Sequence, residues 1–339
     1  MTAWLRSHVP VASGPIDYSL VAAGGSNLTY RVQDADGSSW ALRRPPVAAV
    51  LATAHDMDRE WRILSALADT EVPAPTAVAR CDDVDVTDGP FYVMEFVDGT
   101  ILRTEADGAE LSATAAATAA DSLVDVQVAL HALDVDEIGL GDLAKHRTGY
   151  VERQLRRWKT QVERAKVREL PLLDDLHDGL ARSVPDELGA PSLVHGDYRF
   201  DNVVLGSNDP TGDLAVAAVL DWELCTIGDA VADACWSLLY WIDPGDPLPF
   251  LDSAPTLASS MPRRAEAAAR YATQSGRALD ALPWFTVFGY WKMACIVEGV
   301  YARRLQGARS GAAQQDPSAI ADRVDGFLAY AADAAVGVL

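Results

Sequence analysis

The spacing of apolar and polar positions changes character along the chain. Up to residue 98 the apolar residues come in short runs, Leu20-Val-Ala-Ala, Leu28–Val32, Trp40–Leu42 and Phe91–Val97, set apart by Gly, Asp, Ser and Pro. Short runs bounded by turn residues predict strands. Asp56–Leu67 breaks this pattern: apolar residues at 57, 61, 64 and 67 are spaced for a helix. Asp56 is a candidate cap for it, and Val72-Pro-Ala-Pro75 ends it, because proline cannot continue a helix. From residue 99 onward the spacing is mostly helical. It predicts helices over Glu110–Leu133, Thr148–Glu169, Leu172–Ser183, Ala232–Ile242, Met261–Gly276, Pro283–Gln306 and Ile320–Val336. The aromatic stripe of Pro283–Gln306 reads first as core.

One stretch inside the helical part returns to strand character. The apolar pair Leu193-Val194 leads into His195-Gly-Asp197-Tyr-Arg-Phe-Asp-Asn202. Val203–Leu205 and Leu214–Leu220 then read as two strands joined by Gly206-Ser-Asn-Asp-Pro-Thr-Gly212, and Asp221-Trp-Glu223 follows. A hairpin of this kind brings its ends together, so Asn202 is expected beside Asp221, with Asp197 on the loop leading in. A carboxylate and an amide oxygen are hard donors that suit magnesium. A further carboxylate nearby can orient a hydroxyl and take its proton. That division of labour is the one used for phosphoryl transfer.

The pattern His195-Gly-Asp197-x-x-x-x-Asn202, then Asp221-Trp-Glu223 after 18 intervening residues, resembles the aminoglycoside phosphotransferase and choline kinase group of small-molecule kinases. Within that group it is most similar to the branch also found fused to acyl-CoA dehydrogenases. The resemblance implies an α+β, protein-kinase-like bilobal fold. A small β-rich N-lobe would span 1–98 and hold nucleotide, and a larger, mainly helical C-lobe would span 99–339 and carry catalysis and the acceptor. It further implies Asp197 as the catalytic base, Asn202 and Asp221 as magnesium ligands, and ATP as donor, with GTP possible.

The same resemblance places the other nucleotide contacts. Gly24-Gly25-Ser26-Asn27 forms a glycine turn whose amides and Ser26 hydroxyl would cover phosphates; by itself such a turn is an ordinary hairpin. The strand after it carries a lysine in the family. Here it has Arg43, with Arg44 as the competing register, and Glu60 on the following helix is its expected ion-pair partner. Arginine keeps the charge and can bind phosphate in a bidentate way. The segment at Glu95 and Val97 matches the family's hinge, where backbone groups would meet the purine edge. Asp229 and Asp233 are expected to support the catalytic loop, and Glu223 to reach the metal or serve structure. Trp291, Glu298 and Tyr301 are candidates to line the acceptor site.

Composition narrows the partners. The formal net charge of −21 argues against binding to nucleic acid or anionic membranes, since the phosphate term needs Lys and Arg. It would steer a cationic acceptor inward, while the basic residues of 148–169 could instead face an anionic group. No run of 18 apolar residues is free of charge, the start of the chain does not read as a signal peptide, and four scattered cysteines fit a reduced, cytoplasmic protein. The resemblance implies a hydroxylated small molecule as acceptor, and the branch resemblance alone prefers a metabolic or hydroxyacyl compound slightly over an aminoglycoside antibiotic. A nucleotide-binding module without catalysis is the alternative of a different class.

Overall fold

The computed structural model describes residues 1–11, 13–23, 27–46, 50–187, 189–207, 214–305 and 316–339. In chain order the elements are α1 (Thr2–His8), β1 (Asp17–Ala23), β2 (Leu28–Gln33), β3 (Ser39–Arg44), α2 (Val50–Leu67), β4 (Ala77–Cys81), α3 (Val84–Thr87), β5 (Phe91–Glu95), α4 (Glu105–Ala109), α5 (Ala113–Ala132), α6 (Tyr150–Ala165), α7 (Pro171–Arg182), β6 (Ser192–Val194), β7 (Val203–Ser207), β8 (Leu214–Val219), β9 (Thr226–Gly228), α8 (Ala230–Tyr240), α9 (Arg264–Ser275), α10 (Leu282–Leu305) and α11 (Pro317–Ala335). They fall into two compact units. The first joins Met1–Ile101 with Asp134–Leu143 and Asn202–Cys225; the second holds Leu102–Leu133, Ala144–Asp201 and Thr226–Leu339.

The first unit is built on a five-stranded antiparallel sheet in the order β1-β2-β3-β5-β4. Strand alternation splits β5: Phe91 and Val93 join Leu5, Val9, Val32, Trp40 and Leu42 in one apolar cluster, while Tyr92 lies opposite Arg43. Helix α2 buries Met57, Ile63, Leu64 and Leu67, the apolar stripe expected of it. It begins at Val50, however, so Asp56 lies inside the helix and does not cap it. The helix also anchors two segments remote in sequence. The Arg59 guanidinium donates to the carbonyls of Cys225 (2.6 Å) and Leu143 (3.0 Å). The β7–β8 hairpin pairs Val203 with Val219 and is tied to the unit by Val219 N–H to Pro73 O (2.8 Å) and by Thr100 and Leu205, each N–H to the other's carbonyl at 2.8 Å.

The second unit is helical. Helices α6, α7, α8, α10 and α11 share one core, to which Leu155, Leu173, Trp236, Phe288, Trp291 and Phe327 contribute. Each fully buried side chain of this size is worth about 1.5–3 kcal/mol over leaving it in water. The aromatic stripe of α10 is core: Trp291 is fully buried, with its Nε1 donating to Leu173 O at 3.0 Å. The long helix expected from Glu110 begins instead at Ala113, where the Ser112 hydroxyl caps it by accepting from Ala115 N–H. A short ladder, β6 against β9, leads into residues 195–201. All four cysteines are free and buried, and no helix among the described residues is long and apolar enough to cross a membrane.

Gly108 on α4 marks a close approach inside this unit. A Cβ there would lie 2.3 Å from the Pro255 carbonyl oxygen, a backbone atom that cannot swing aside. Gly108→Ala is therefore expected to destabilise the protein by about 1–3 kcal/mol. A lowered urea midpoint with an unchanged slope is the expected result.

Candidate functional site

The first unit concentrates charge around Arg43. Its Nε lies 2.8 Å from Glu60 Oε2, and its Nη2 is 2.5 Å from Asp221 Oδ1 and 3.6 Å from Glu223 Oε2. Glu60 is 1% exposed, and two further donors reach it: the Tyr92 hydroxyl at 2.7 Å and Asn27 Nδ2 at 3.0 Å. Burial disfavours charge on Arg43, yet Glu60, Tyr92 and Asp221 outweigh it and hold the guanidinium above its usual range. Burial pushes the Glu60 carboxyl upward, against the pull of Arg43 and the Tyr92 hydroxyl. The two registers left open by the sequence are separated here. Arg44 donates to the carbonyls of Thr87 and Pro45, and Arg43 takes the carboxylates.

The β7–β8 hairpin brings Asn202 and Asp221 to adjacent ladder ends. Asn202 closes a 3-10 turn just before β7, Asp221 follows β8, and Leu220 N–H donates to Asn202 O at 2.8 Å. Asp221 sits at φ +62°, an uncommon conformation for a residue with a Cβ. Such outliers gather where a side chain must be aimed. Its side chain is 36% exposed, so it can take a ligand besides Arg43. Its neighbour Trp222 is buried, with Nε1 donating to Val219 O, which pins the turn.

The second unit carries Asp197. Its loop is held from below by Asp233, buried on α8. Asp233 Oδ2 accepts from His131 Nε2 and from the His195 amide, and Oδ1 accepts from the Gly196 amide at 2.8 Å. Burial works against this charge, but His131, His195 and the Gly196 amide hold the carboxyl below its usual range. Gly196 lies at φ +84°, a conformation that favours glycine. It turns the chain so that Asp197 N–H reaches back to His195 Nδ1. The Asp197 carboxylate is 3.5 Å from Arg199 Nε, and the titration of the Tyr240 hydroxyl is pushed up by burial and by the charge of Asp197. Asp229 acts elsewhere, capping α8 by accepting from Ala232 N–H.

The remaining expected contacts are placed as follows. Gly25 and Ser26 lie outside the described residues. Asn27 is 5% exposed and directed to Glu60, and its buried Oδ1 has no partner among the described residues. Glu95 ends β5, where its N–H donates to Thr76 O and its carboxylate accepts from the Thr76 hydroxyl. Val97 follows in a segment without helix or strand. Of the acceptor candidates, Trp291 is core, Glu298 is fully buried against Arg168, and Tyr301 lies beneath the same guanidinium. Tyr92, Asp233 as a clamp on two loop amides, and Lys292 on α10 were not singled out in these roles by sequence reasoning. Strand alternation could have found Tyr92, which faces Arg43 across the β3–β5 ladder.

Known proteins are similar to this chain in sequence and in architecture. Mouse acyl-CoA dehydrogenase family member 10 is 32% identical over 309 residues, covering 90% of this chain and 28% of the relative. Human acyl-CoA dehydrogenase family member 11 is 32% identical over 320 residues, covering 91% and 40% respectively. The chain thus spans well under half the length of these relatives. A crystal structure from Ralstonia eutropha, provisionally described as an aminoglycoside phosphotransferase, superposes with a TM-score of 0.80 at 29% identity, covering 99% of this chain and 97% of the other. The GDP complex of aminoglycoside 2'-phosphotransferase-IIIa has the same protein-kinase-like fold, with a TM-score of 0.65 at 17% identity and 97% coverage of both chains. The family model for the phosphotransferase enzyme family, APH, matches residues 17–283, and the chain belongs to that family of kinases.

Proposed function

We propose that the chain moves the γ-phosphoryl group of ATP to a hydroxyl of a small molecule. The observation that carries this reading is Arg43, a cation gripped at once by Glu60 and Asp221 on a sheet built like a nucleotide-holding lobe. In this reading Arg43 neutralises phosphate charge, and Glu60 keeps it aimed. Asn202 and Asp221 offer an amide and a carboxylate oxygen, which fits magnesium, an ion that takes only one or two protein carboxylates and fills its shell with water and phosphate oxygens. When bound with nucleotide, magnesium supplies positive charge against the phosphate oxygens.

Asp197 acts as base in this scheme. The acceptor oxygen attacks the γ-phosphorus, the bond to the bridging oxygen of ADP breaks, and the hydroxyl proton passes to the Asp197 carboxylate. Arg199, 3.5 Å away, helps to hold that carboxylate in place. The protein's contribution is positioning and charge stabilisation. GTP is the second donor to test, because aminoglycoside 2'-phosphotransferase-IIIa is known as a GDP complex. Relatives that carry an acyl-CoA dehydrogenase name favour a hydroxylated acyl compound as acceptor. A net charge of −21 favours the competing reading, an aminoglycoside. Four free cysteines suit a cytoplasmic location.

The decisive assay is ADP release from Mg-ATP over a panel of aminoglycosides, amino alcohols, sugars and hydroxyacyl-CoA esters. Asp197→Asn is expected to lower acceptor-stimulated turnover by roughly 10²–10⁴-fold. It should still bind Mg-nucleotide in calorimetry; equal turnover in both proteins would remove Asp197 as base. Asp221→Ala is expected to abolish the magnesium dependence of nucleotide binding, read as the difference between titrations with Mg²⁺ and with EDTA.

A third expectation concerns pH. Glu60 titrates at about 7 in the folded chain, above the roughly 4.3 of an unfolded glutamate. Its contribution to stability is therefore full below about 4.3 and is lost as pH rises through about 7. The stability of wild type relative to Glu60→Gln, from urea denaturation at a series of pH values, should fall across that window. A flat difference would mean that Glu60 is not raised.

A further inference from the structure

Arg43 divides its guanidinium between two partners of different standing. Nε faces Glu60 Oε2 at 2.8 Å, inside the sheet unit, where the Tyr92 hydroxyl (2.7 Å) and Asn27 Nδ2 (3.0 Å) also hold that carboxylate. Nη2 reaches to Asp221 Oδ1 at 2.5 Å and has Glu223 Oε2 3.6 Å away. Both carboxylates are fixed by their surroundings. Glu60 is buried among its donors, and the backbone around Asp221 is tied by Leu220 N–H to Asn202 O (2.8 Å) and by Trp222 Nε1 to Val219 O (3.0 Å). The Nη2 end of Arg43 is the part that can yield, because a turn about the Cδ–Nε bond swings Nη2 while Nε stays beside Glu60.

Asp221 is also the carboxylate that takes magnesium with Asn202 in the kinase reading, so it has two claimants. A divalent cation bonded to the carboxylate that Nη2 already holds would stand within a few ångström of the guanidinium, and like charges repel strongly in a partly buried site. Pushing Nη2 aside would strand a charged donor on a side chain that is only 12% exposed. A guanidinium stays protonated, so loss of a proton does not release it either. Nucleotide phosphates remove the conflict: their oxygens accept from Nη2 and at the same time share the ion.

We propose that Arg43 is the resident cation of Asp221 and makes metal binding conditional on nucleotide: Mg²⁺ alone binds weakly, and phosphates admit it by drawing Nη2 away from Asp221. This rests on the kinase reading given above and deepens it by assigning the site a coupling between its two ligands. Such coupling is reciprocal, so nucleotide without metal is disfavoured by the same factor. The arginine at this position then has a use of its own. A lysine ends one bond short of Nη2, so an ammonium bonded to Glu60 holds Asp221 less closely.

The test reads metal affinity directly. Mn²⁺, a divalent ion that shares magnesium's preference for oxygen ligands, is titrated with and without ADP, and the free ion is counted by electron paramagnetic resonance. Wild type is compared with Arg43→Lys, which keeps the positive charge, and with Arg43→Met combined with Glu60→Gln, which removes one charge of each sign and strands neither. A gain common to both therefore reports release of Asp221 and not a change in net charge. Without nucleotide, each variant is expected to bind Mn²⁺ roughly 5- to 20-fold more tightly than wild type. The enhancement of Mn²⁺ affinity by ADP should shrink by a similar factor in Arg43→Lys, and adding Asp221→Asn to that variant should remove the gain. Thermal melts show which proteins fold, and either variant decides the matter if the other does not. Nucleotide-free Mn²⁺ affinity no higher in the variants than in wild type, a gain that survives Asp221→Asn, or equal enhancement by ADP in wild type and Arg43→Lys would overturn the inference while leaving the kinase reading standing. Failure of wild type to bind ADP in the presence of Mg²⁺ would remove the kinase reading, and this inference with it.

Discussion

A buried carboxylate on a helix sets the shape of the Asp197 loop. Asp233 receives an imidazole N–H and two consecutive backbone amides, and without them a charge at 2% exposure would cost several kcal/mol. The dependence runs both ways. The charge holds the loop amides in place, and the amides, with His131, keep the group charged. The same contacts impose the positive φ at Gly196 and fold Asp197 N–H back onto the His195 ring. His131 is braced in turn by the Tyr271 hydroxyl at 2.7 Å, so α5, α8 and α9 all bear on the loop through one polar chain. A fully satisfied buried network of this kind is rigid, because any member that moves leaves the others unpaired.

The sheet unit solves a related problem with the opposite sign. Arg43 is the buried cation, and Glu60, Asp221 and Glu223 surround it. The planar guanidinium can address two carboxylates in different directions, which the single ammonium of a lysine does less well. Tyr92 and Asn27 take up the remaining capacity of Glu60. Asp221 is thereby drawn toward the sheet while the β8 ladder and the buried Trp222 hold its backbone. Asp221 is thus held by bonded neighbours within its own unit.

Much of this was readable along the chain. The hairpin that seats Asn202 near Asp221 followed from two apolar runs around a turn-forming linker, because strand pairing is local and its signal is dense. Arg43 and Glu60 were matched only through family resemblance, since nothing in their local sequence says that they meet. Other features left weak traces. The three-residue strands β6 and β9 are too short to show alternation. The start of α2 at Val50 was masked by Asp56, a good capping residue that the helix passes through. Trp291 and Glu298 read as pocket candidates and proved to be core, because an aromatic helix buried on most sides has no polar face to mark its orientation.

The sequence by itself determined the family, the element types and the identity of the chemical groups, because these depend on residue spacing and on turn chemistry within short windows. The tertiary structure alone decided which groups have partners. Lys292 reads as one more basic residue in an apolar helix, and only the packing of α6, α8 and α10 sets its ammonium over the Trp158 and Trp236 rings. Burial and satisfaction are sums over neighbours distant in the chain, so no local pattern encodes them.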